Sequence, residues 1–152
     1  MRAVVQKVKY ACVKVDSKIV GEINNGICAL IGFSNEDTEK DSEYMVKRLL
    51  NLKLFNSSKG EKTTVSEMGY EVLCVSQFTL FGKTVKGNKP DFHDSMKTET
   101  AKTMYKDFLT RLGEAYDHSK IKDGEFGAMM EVDISTDGPL TLQLDSRKIE
   151  YL

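Results

Sequence analysis

Apolar and polar residues alternate over Met1–Val8 and again over Ala11–Asp16, the period of strands with one buried face. Lys18–Phe33 follows with Asn24-Asn25-Gly26 at its centre, a tight-turn signal between β-branched runs that predicts a hairpin. Its second arm, Ile27–Ile31, is apolar at every position, which suits a strand buried on both faces. The period then becomes helical. Met45, Leu49 and Leu52 form one stripe, widened by Val46 and Leu50, and Thr38 can cap the start with Asp41 as a short-armed capping box. Residues 56–62 read as a loop, and residues 70–82, YEVLCVSQFTLFG, as the strongest strand in the chain. After a loop over 83–95, residues 96–112 predict a second helix with Ala101, Met104, Tyr105, Phe108 and Leu112 on one face and Gly113 as its stop. Met130, Val132 and Ile134 alternate, Gly138-Pro139 marks a turn, and Leu140, Leu142 and Leu144 alternate again. The order is β-rich, helix, β, helix, β-rich, without repeat or linker. It predicts one domain over residues 1–152 of α/β class, α+β type, its sheet antiparallel-rich and its two amphipathic helices packed on one side.

Charge narrows the choice of partner. With 22 basic and 23 acidic residues the net charge is −1, so a nucleic acid would have to meet a local basic patch. No apolar run approaches the ~20 residues that cross a bilayer, and the N-terminal stretch is too polar for a signal peptide. The expectation is a cytoplasmic protein with no membrane partner. Cys12, Cys28 and Cys74 are far apart, form no CxxC pair and sit in strand-like runs, so they read as buried reduced thiols, with no metal site.

Few residues offer chemistry. Nucleophile elbow, phosphate loop, dinucleotide loop and HExxH motif are all missing from the sequence. His93 lies in a lysine-rich loop and His118 in a polar segment, and both read as surface residues. A serine or threonine without an activating base is a poor nucleophile. What remains is Ser76-Gln77-Phe78-Thr79-Leu80, where polar residues interrupt the strong strand beside a loop. It is either an amphipathic strand end or a set of backbone N–H groups and a Thr79 hydroxyl aimed at a carbonyl, able to stabilise an oxyanion without a basic side chain. Lys83, Lys86 and Lys89 follow directly, either as a solvated loop or as phosphate contacts.

The ordered set SQFTLFG, KGNKPDF and TDGPLT, with the opening AVVQKV and GEINNGICALIGF, resembles the D-aminoacyl-tRNA deacylases over essentially the whole chain. The resemblance implies a homodimer of a compact β-barrel-like fold, without cofactor. Such an enzyme hydrolyses the ester joining a D-amino acid or glycine to the terminal adenosine of tRNA. By the same resemblance, Ser76, Gln77, Phe78 and Thr79 form the catalytic floor. Gly138 and Pro139, joined by a cis peptide bond, reach into the other subunit's site and exclude L side chains. Ala101, Phe126 and Met130 line the pocket for the aminoacyl-tRNA 3′ end. A stiff backbone wall suits this task, since it rejects one hand by clash while leaving side-chain size open. The sequence departs from the family pattern Asn-x-Gly-Pro-Val-Thr at two places, Thr136 and Leu140. A threonine has one hydroxyl where asparagine has an amide, so the bracing of the corner is a question for the structure. The alternative is a non-catalytic nucleic-acid-binding module on the same fold, using the three lysines.

Overall fold

The computed structural model describes residues 1–147; the last five residues of the expected domain lie outside the described residues. Strand β1 (Arg2–Val15) is the hub, since three strands pair with it. β8 (Glu131–Asp145) runs antiparallel along one edge, from Arg2 opposite Asp145 to Lys14 opposite Glu131. The other edge is shared by β3 (Gly26–Gly32), opposite Arg2–Val8, and β2 (Lys18–Ile23), opposite Ala11–Val15.

This arrangement corrects the expected hairpin. β2 and β3 do not pair with each other; they lie end to end along β1, interrupted at Asn24-Asn25. The tight turn is Asp16-Ser17, whose φ angles of 50° and 65° are both left-handed, as a two-residue hairpin requires. Asn24-Asn25-Gly26 has another duty. A Cβ on Gly26 would sit 1.9 Å from the Glu71 carbonyl oxygen, so glycine is there to let β6 come close.

β6 (Glu71–Ser76) pairs with β3, and β7 (Ile121–Asp123) pairs with β6, both in parallel. The sheet is therefore mixed: its pairs along β1 are antiparallel, as the antiparallel-rich expectation had it, and β3, β6 and β7 add two parallel pairs. Its order, β2-β1-β3-β6-β7, nearly closes on itself, because β2 and β7 meet where a Cβ on Gly21 would lie 2.0 Å from the Asp123 carbonyl oxygen. The result is a barrel-like sheet.

Alternation then divides the apolar residues between two cores. Val8, Ala11, Val13, Ile23, Cys28, Leu73 and Val75 fill the inside of the barrel. Ile27, Ala29, Ile31, Val72 and Cys74 face outward onto the helices. β3 and β6 are thus buried on both faces, as the unbroken apolar run of β3 anticipated. Helix α1 (Glu39–Asn51) covers the outer face with Met45, Val46, Leu49 and Leu50, and its capping box forms, with the Thr38 N–H donating to the Asp41 carboxylate at 2.8 Å. Helix α2 (Thr98–Ala115) adds Tyr105, Phe108 and Leu112 to the same core. α2 does not stop at Gly113. A Cβ there would lie 2.0 Å from His118 Nδ1, so this glycine makes room for the returning chain inside the helix. A small hairpin of β4 (Lys53–Asn56) and β5 (Lys62–Thr64) completes the fold. Among the described residues no helix is long and apolar enough to cross a membrane.

Candidate active site

Strand β6 ends at Ser76, earlier than the run over 70–82 suggested. The Gln77 N–H still donates to the Ile31 carbonyl at 2.7 Å, and the chain then winds into one 3-10 turn over Phe78–Phe81. Gly32 permits this. A Cβ on it would stand 2.8 Å from the Gln77 carbonyl oxygen and 3.1 Å from Leu80 Cβ, so the turn folds down onto β3 only because that side chain is missing.

The turn presents polar groups outward. Gln77 Nε2 donates to Thr79 Oγ1 at 2.5 Å. That bond occupies a lone pair on the hydroxyl oxygen and leaves the Thr79 O–H to donate elsewhere. The N–H groups of Phe78 and Thr79, at the start of the turn, have no hydrogen-bond partner among the described residues. Phe78 and Thr79 are both exposed.

Two supports hold the turn. On one side, Arg2 donates through Nε to Asp145 at 2.9 Å and through Nη1 to the Leu80 carbonyl at 3.0 Å, with its guanidinium 4.6 Å from the Phe81 ring centroid. On the other, Ser95 Oγ donates to the Phe78 carbonyl at 3.0 Å, and the Phe92 ring meets Phe78 edge-on with centroids 5.2 Å apart. The 83–95 loop is closed at its base, where Lys83 and Asp91 exchange backbone hydrogen bonds of 2.8 and 2.9 Å.

The three loop lysines are not equivalent. Lys83 Nζ lies 2.6 Å from Asp94, whose hydrogen bond raises the lysine's pKa, so its charge is already answered within the loop. Lys86 and Lys89 are exposed and make no ion pair among the described residues. His93 sits on the surface against Asp91; the His93 backbone N–H, then its ring, hold that carboxyl below its usual range. His118 is also exposed. Neither histidine hydrogen-bonds to the Ser76–Leu80 turn. Cys12, Cys28 and Cys74 are free and buried, and burial pushes the Cys28 thiol up to about 12.

Ala101 and Phe126 lie half-buried against the outer core. Met130, also half-buried, packs against the barrel-interior residues, and its sulfur would lie 2.7 Å from a Cβ on Gly124. The Phe126 ring leans on Tyr105, centroids 5.7 Å apart.

The Gly138-Pro139 corner differs from expectation. It does not join two strands. It is an outward fold within β8, at the break in register between Gln6–Thr141 and Val8–Thr136, and its peptide bond is cis. Lys7 lies opposite the corner and pairs with Asp137 at 3.5 Å, while Gln6 Nε2 donates to Thr141 Oγ1 at 3.3 Å. Those two contacts flank the corner from β1, and the Thr136 side chain makes no hydrogen bond among the described residues. The corner and the Ser76 turn do not meet within one chain. Lys7 pairs with Ile27 and Ile27 with Val72, so the turn begins four residues along β6 and three strands away from β8. At ~3.3 Å per residue and ~4.8 Å per strand, that is on the order of 20 Å along the sheet.

Local patterns gave no sign of Arg2, Gly32, Phe92, Ser95 or Asp137, because each acts on a partner distant in sequence.

The sequence model described as D-Tyr-tRNA(Tyr) deacylase matches residues 4–145. The chain belongs to this deacylase family. The deacylase is 50% identical over 147 residues to the D-aminoacyl-tRNA deacylase of Drosophila melanogaster, covering 96% of this chain and 92% of that one. It is 45% identical over 151 residues to the D-aminoacyl-tRNA deacylase of Dictyostelium discoideum, covering 97% and 99%. Among solved structures, one titled c-Myc DNA Unwinding Element Binding Protein superposes with a TM-score of 0.91 at 48% identity, covering 95% of this chain and 98% of that one.

Proposed function

We infer that this chain, a deacylase by family, hydrolyses the ester between a D-amino acid or glycine and the terminal adenosine of a tRNA, with the Ser76–Leu80 turn as the floor of its site. The observation that carries the reading is the Gln77–Thr79 hydrogen bond beside two unpartnered N–H groups. Those groups are donors without a base, and an aminoacyl ester is already activated. Water adds to the ester carbonyl and the oxygen gains charge. The N–H groups of Phe78 and Thr79, with the Thr79 hydroxyl, are suited to accept that charge as hydrogen-bond donors. The adenosine 3′ oxygen then leaves with a proton, which the neighbouring 2′-hydroxyl of the substrate can relay. Thr79 orients the carbonyl and does not abstract the proton.

Chiral selection follows from the corner. Gly138-Pro139 is exposed and on the order of 20 Å from the turn of its own chain along the sheet, so one substrate touches both only where a second protomer supplies the corner. The 15-residue strand β8 pairs only with β1 among the described residues, which leaves a long free edge beside the corner for such a protomer. Lys86 and Lys89, exposed and without an ion pair among the described residues, are the lysines free to meet phosphates, which give position without sequence preference.

A second reading deserves an arm of the test, since a 48%-identical structure carries the name of a DNA-binding protein. Purified protein at catalytic concentration is given D-Tyr-tRNA and L-Tyr-tRNA. Rapid loss of the D ester alone is expected. Equal rates on both would sink the chiral reading, and no turnover of either, with retained binding to DNA, would leave the binding module.

A further inference from the structure

Phe126 stands on the segment Gly124–Met130 between β7 and β8, and little within the segment fixes it. Its backbone contacts are Gly124 N–H to the Cys74 carbonyl at 3.2 Å and Ala128 N–H to the Glu125 carbonyl at 3.2 Å. The firm neighbour is Tyr105. It lies four residues after Ala101 on α2, hence on the same helix face. Its ring is 2% exposed and tilted 40° against Phe126. Its hydroxyl donates to the carboxylate of Asp123, the residue at which β7 ends and the segment begins. One side chain therefore touches Phe126 from the side and fastens the root of its segment.

A phenylalanine would fill nearly the same core volume as Tyr105 without burying a hydroxyl. A buried hydroxyl costs free energy unless it is bonded, so its presence is justified by the bond it makes. That bond joins α2, which carries Ala101, to the strand end that carries Phe126. Burial, ahead of any other influence, raises the Asp123 carboxyl pKa, consistent with a group placed there for its partner and not for solvent.

We propose that Tyr105 and Asp123 are positioning residues that set the distance between the Ala101 face of α2 and the Phe126 wall, and so the fit of the pocket for the terminal adenosine. The inference rests on the reading of Ala101 and Phe126 as pocket residues.

The test compares Y105F, D123A, the double variant and F126A, measuring kcat, KM for D-Tyr-tRNA and thermal stability for each. Y105F removes the donor and D123A the acceptor, so each should raise KM about three- to tenfold, the worth of one such hydrogen bond, with kcat within about twofold of the parent. The double variant should raise KM no further than the single ones, since both remove the same bond. F126A separates the pocket from its support. If F126A leaves KM unchanged, the pocket reading is wrong. If F126A raises KM while Y105F and D123A lower only the melting temperature, the pocket stands and the positioning role is overturned. Should Y105F not fold, D123A decides alone, with an unchanged KM counting against the proposal.

Discussion

Replacing Gly32 by alanine isolates the placement of the Gln77 peptide from every other property of the site. The new Cβ would lie 2.8 Å from the Gln77 carbonyl oxygen, where ordinary contact begins near 3.4 Å, so the turn must retreat by the difference, about 0.6 Å. Overpacking of this kind costs about 1–3 kcal/mol. For a chain of this size that lowers the melting temperature by roughly 2–12 °C. The effect on rate should be larger in proportion. A ~1 Å misplacement can cost about 100-fold, so kcat/KM for D-Tyr-tRNA should fall by about 10- to 100-fold. Gly26→Ala is the control. Its Cβ would meet the Glu71 carbonyl oxygen at 1.9 Å, a worse clash, but Gly26 opens β3 and Gly32 closes it, so the strain falls at the far end of the β3–β6 pair. Both variants are assayed at low temperature, with activity normalised to folded protein by circular dichroism. Gly26→Ala should be less stable yet keep kcat/KM within about twofold per folded molecule. Equal losses in the two variants would mean that general loosening of the sheet, and not the position of Gln77, controls the rate. Full activity in a destabilised Gly32→Ala would remove the turn from the mechanism.

Lys7→Met should leave D-Tyr-tRNA hydrolysis intact and raise hydrolysis of L-Tyr-tRNA, because the 3.5 Å pair with Asp137 flanks the corner; both side chains are partly exposed, so the gain should not exceed about fivefold, and no change in the D/L ratio would show that the corner is held without Lys7. Thr79→Ala loses one of three donors to the carbonyl oxygen but keeps both backbone N–H groups and the substrate's own hydroxyl, so it should be slowed and still turn over, and a variant that folds but is inert would restore Thr79 as a proton-transfer group. Acid should weaken the start of α1. Burial opposes ionisation of Asp41, but its bonds from Ser146 and from the Thr38 N–H outweigh that and lower its pKa. Its stabilising share is therefore complete above the unfolded carboxyl value, ~3.9, and is lost as pH falls through the lower folded value. Asp41→Asn should flatten that part of the acid-unfolding curve, and an unaltered curve would assign the loss to other carboxylates.

What the sequence disclosed was local. The stripe Met45-Leu49 and the Thr38 cap describe α1 because its bonds close within four residues, and the unbroken apolar run of β3 announced burial on both faces. What it concealed depends on remote neighbours. Asn24-Asn25-Gly26 carries a turn signature, yet Gly26 answers to Glu71. Gly113 looks like a helix stop, yet it answers to His118. Gly138-Pro139 reads as a turn because proline lacks a ladder donor; nothing local reveals that β1 continues past it on both sides. For the site, the motif residues were legible and their scaffold was not. Arg2 reaches Leu80 and Asp145, neither of which any periodicity connects to it.

The hub position of β1 has a consequence for synthesis on the ribosome. Its inner edge can be occupied as soon as β2 and β3 emerge, but its outer edge waits for β8, which begins at Glu131. At 5–20 residues per second, the interval between Val15 and Glu131 is about 6–23 s. Through that interval the nascent chain carries an unpaired strand edge, and by its end β2, β3, β6 and β7 have all been synthesised while that edge still waits. The enzyme should therefore depend on holdase chaperones during translation far more than its modest size suggests, and pausing of the ribosome before β8 should send a larger fraction of chains to aggregation.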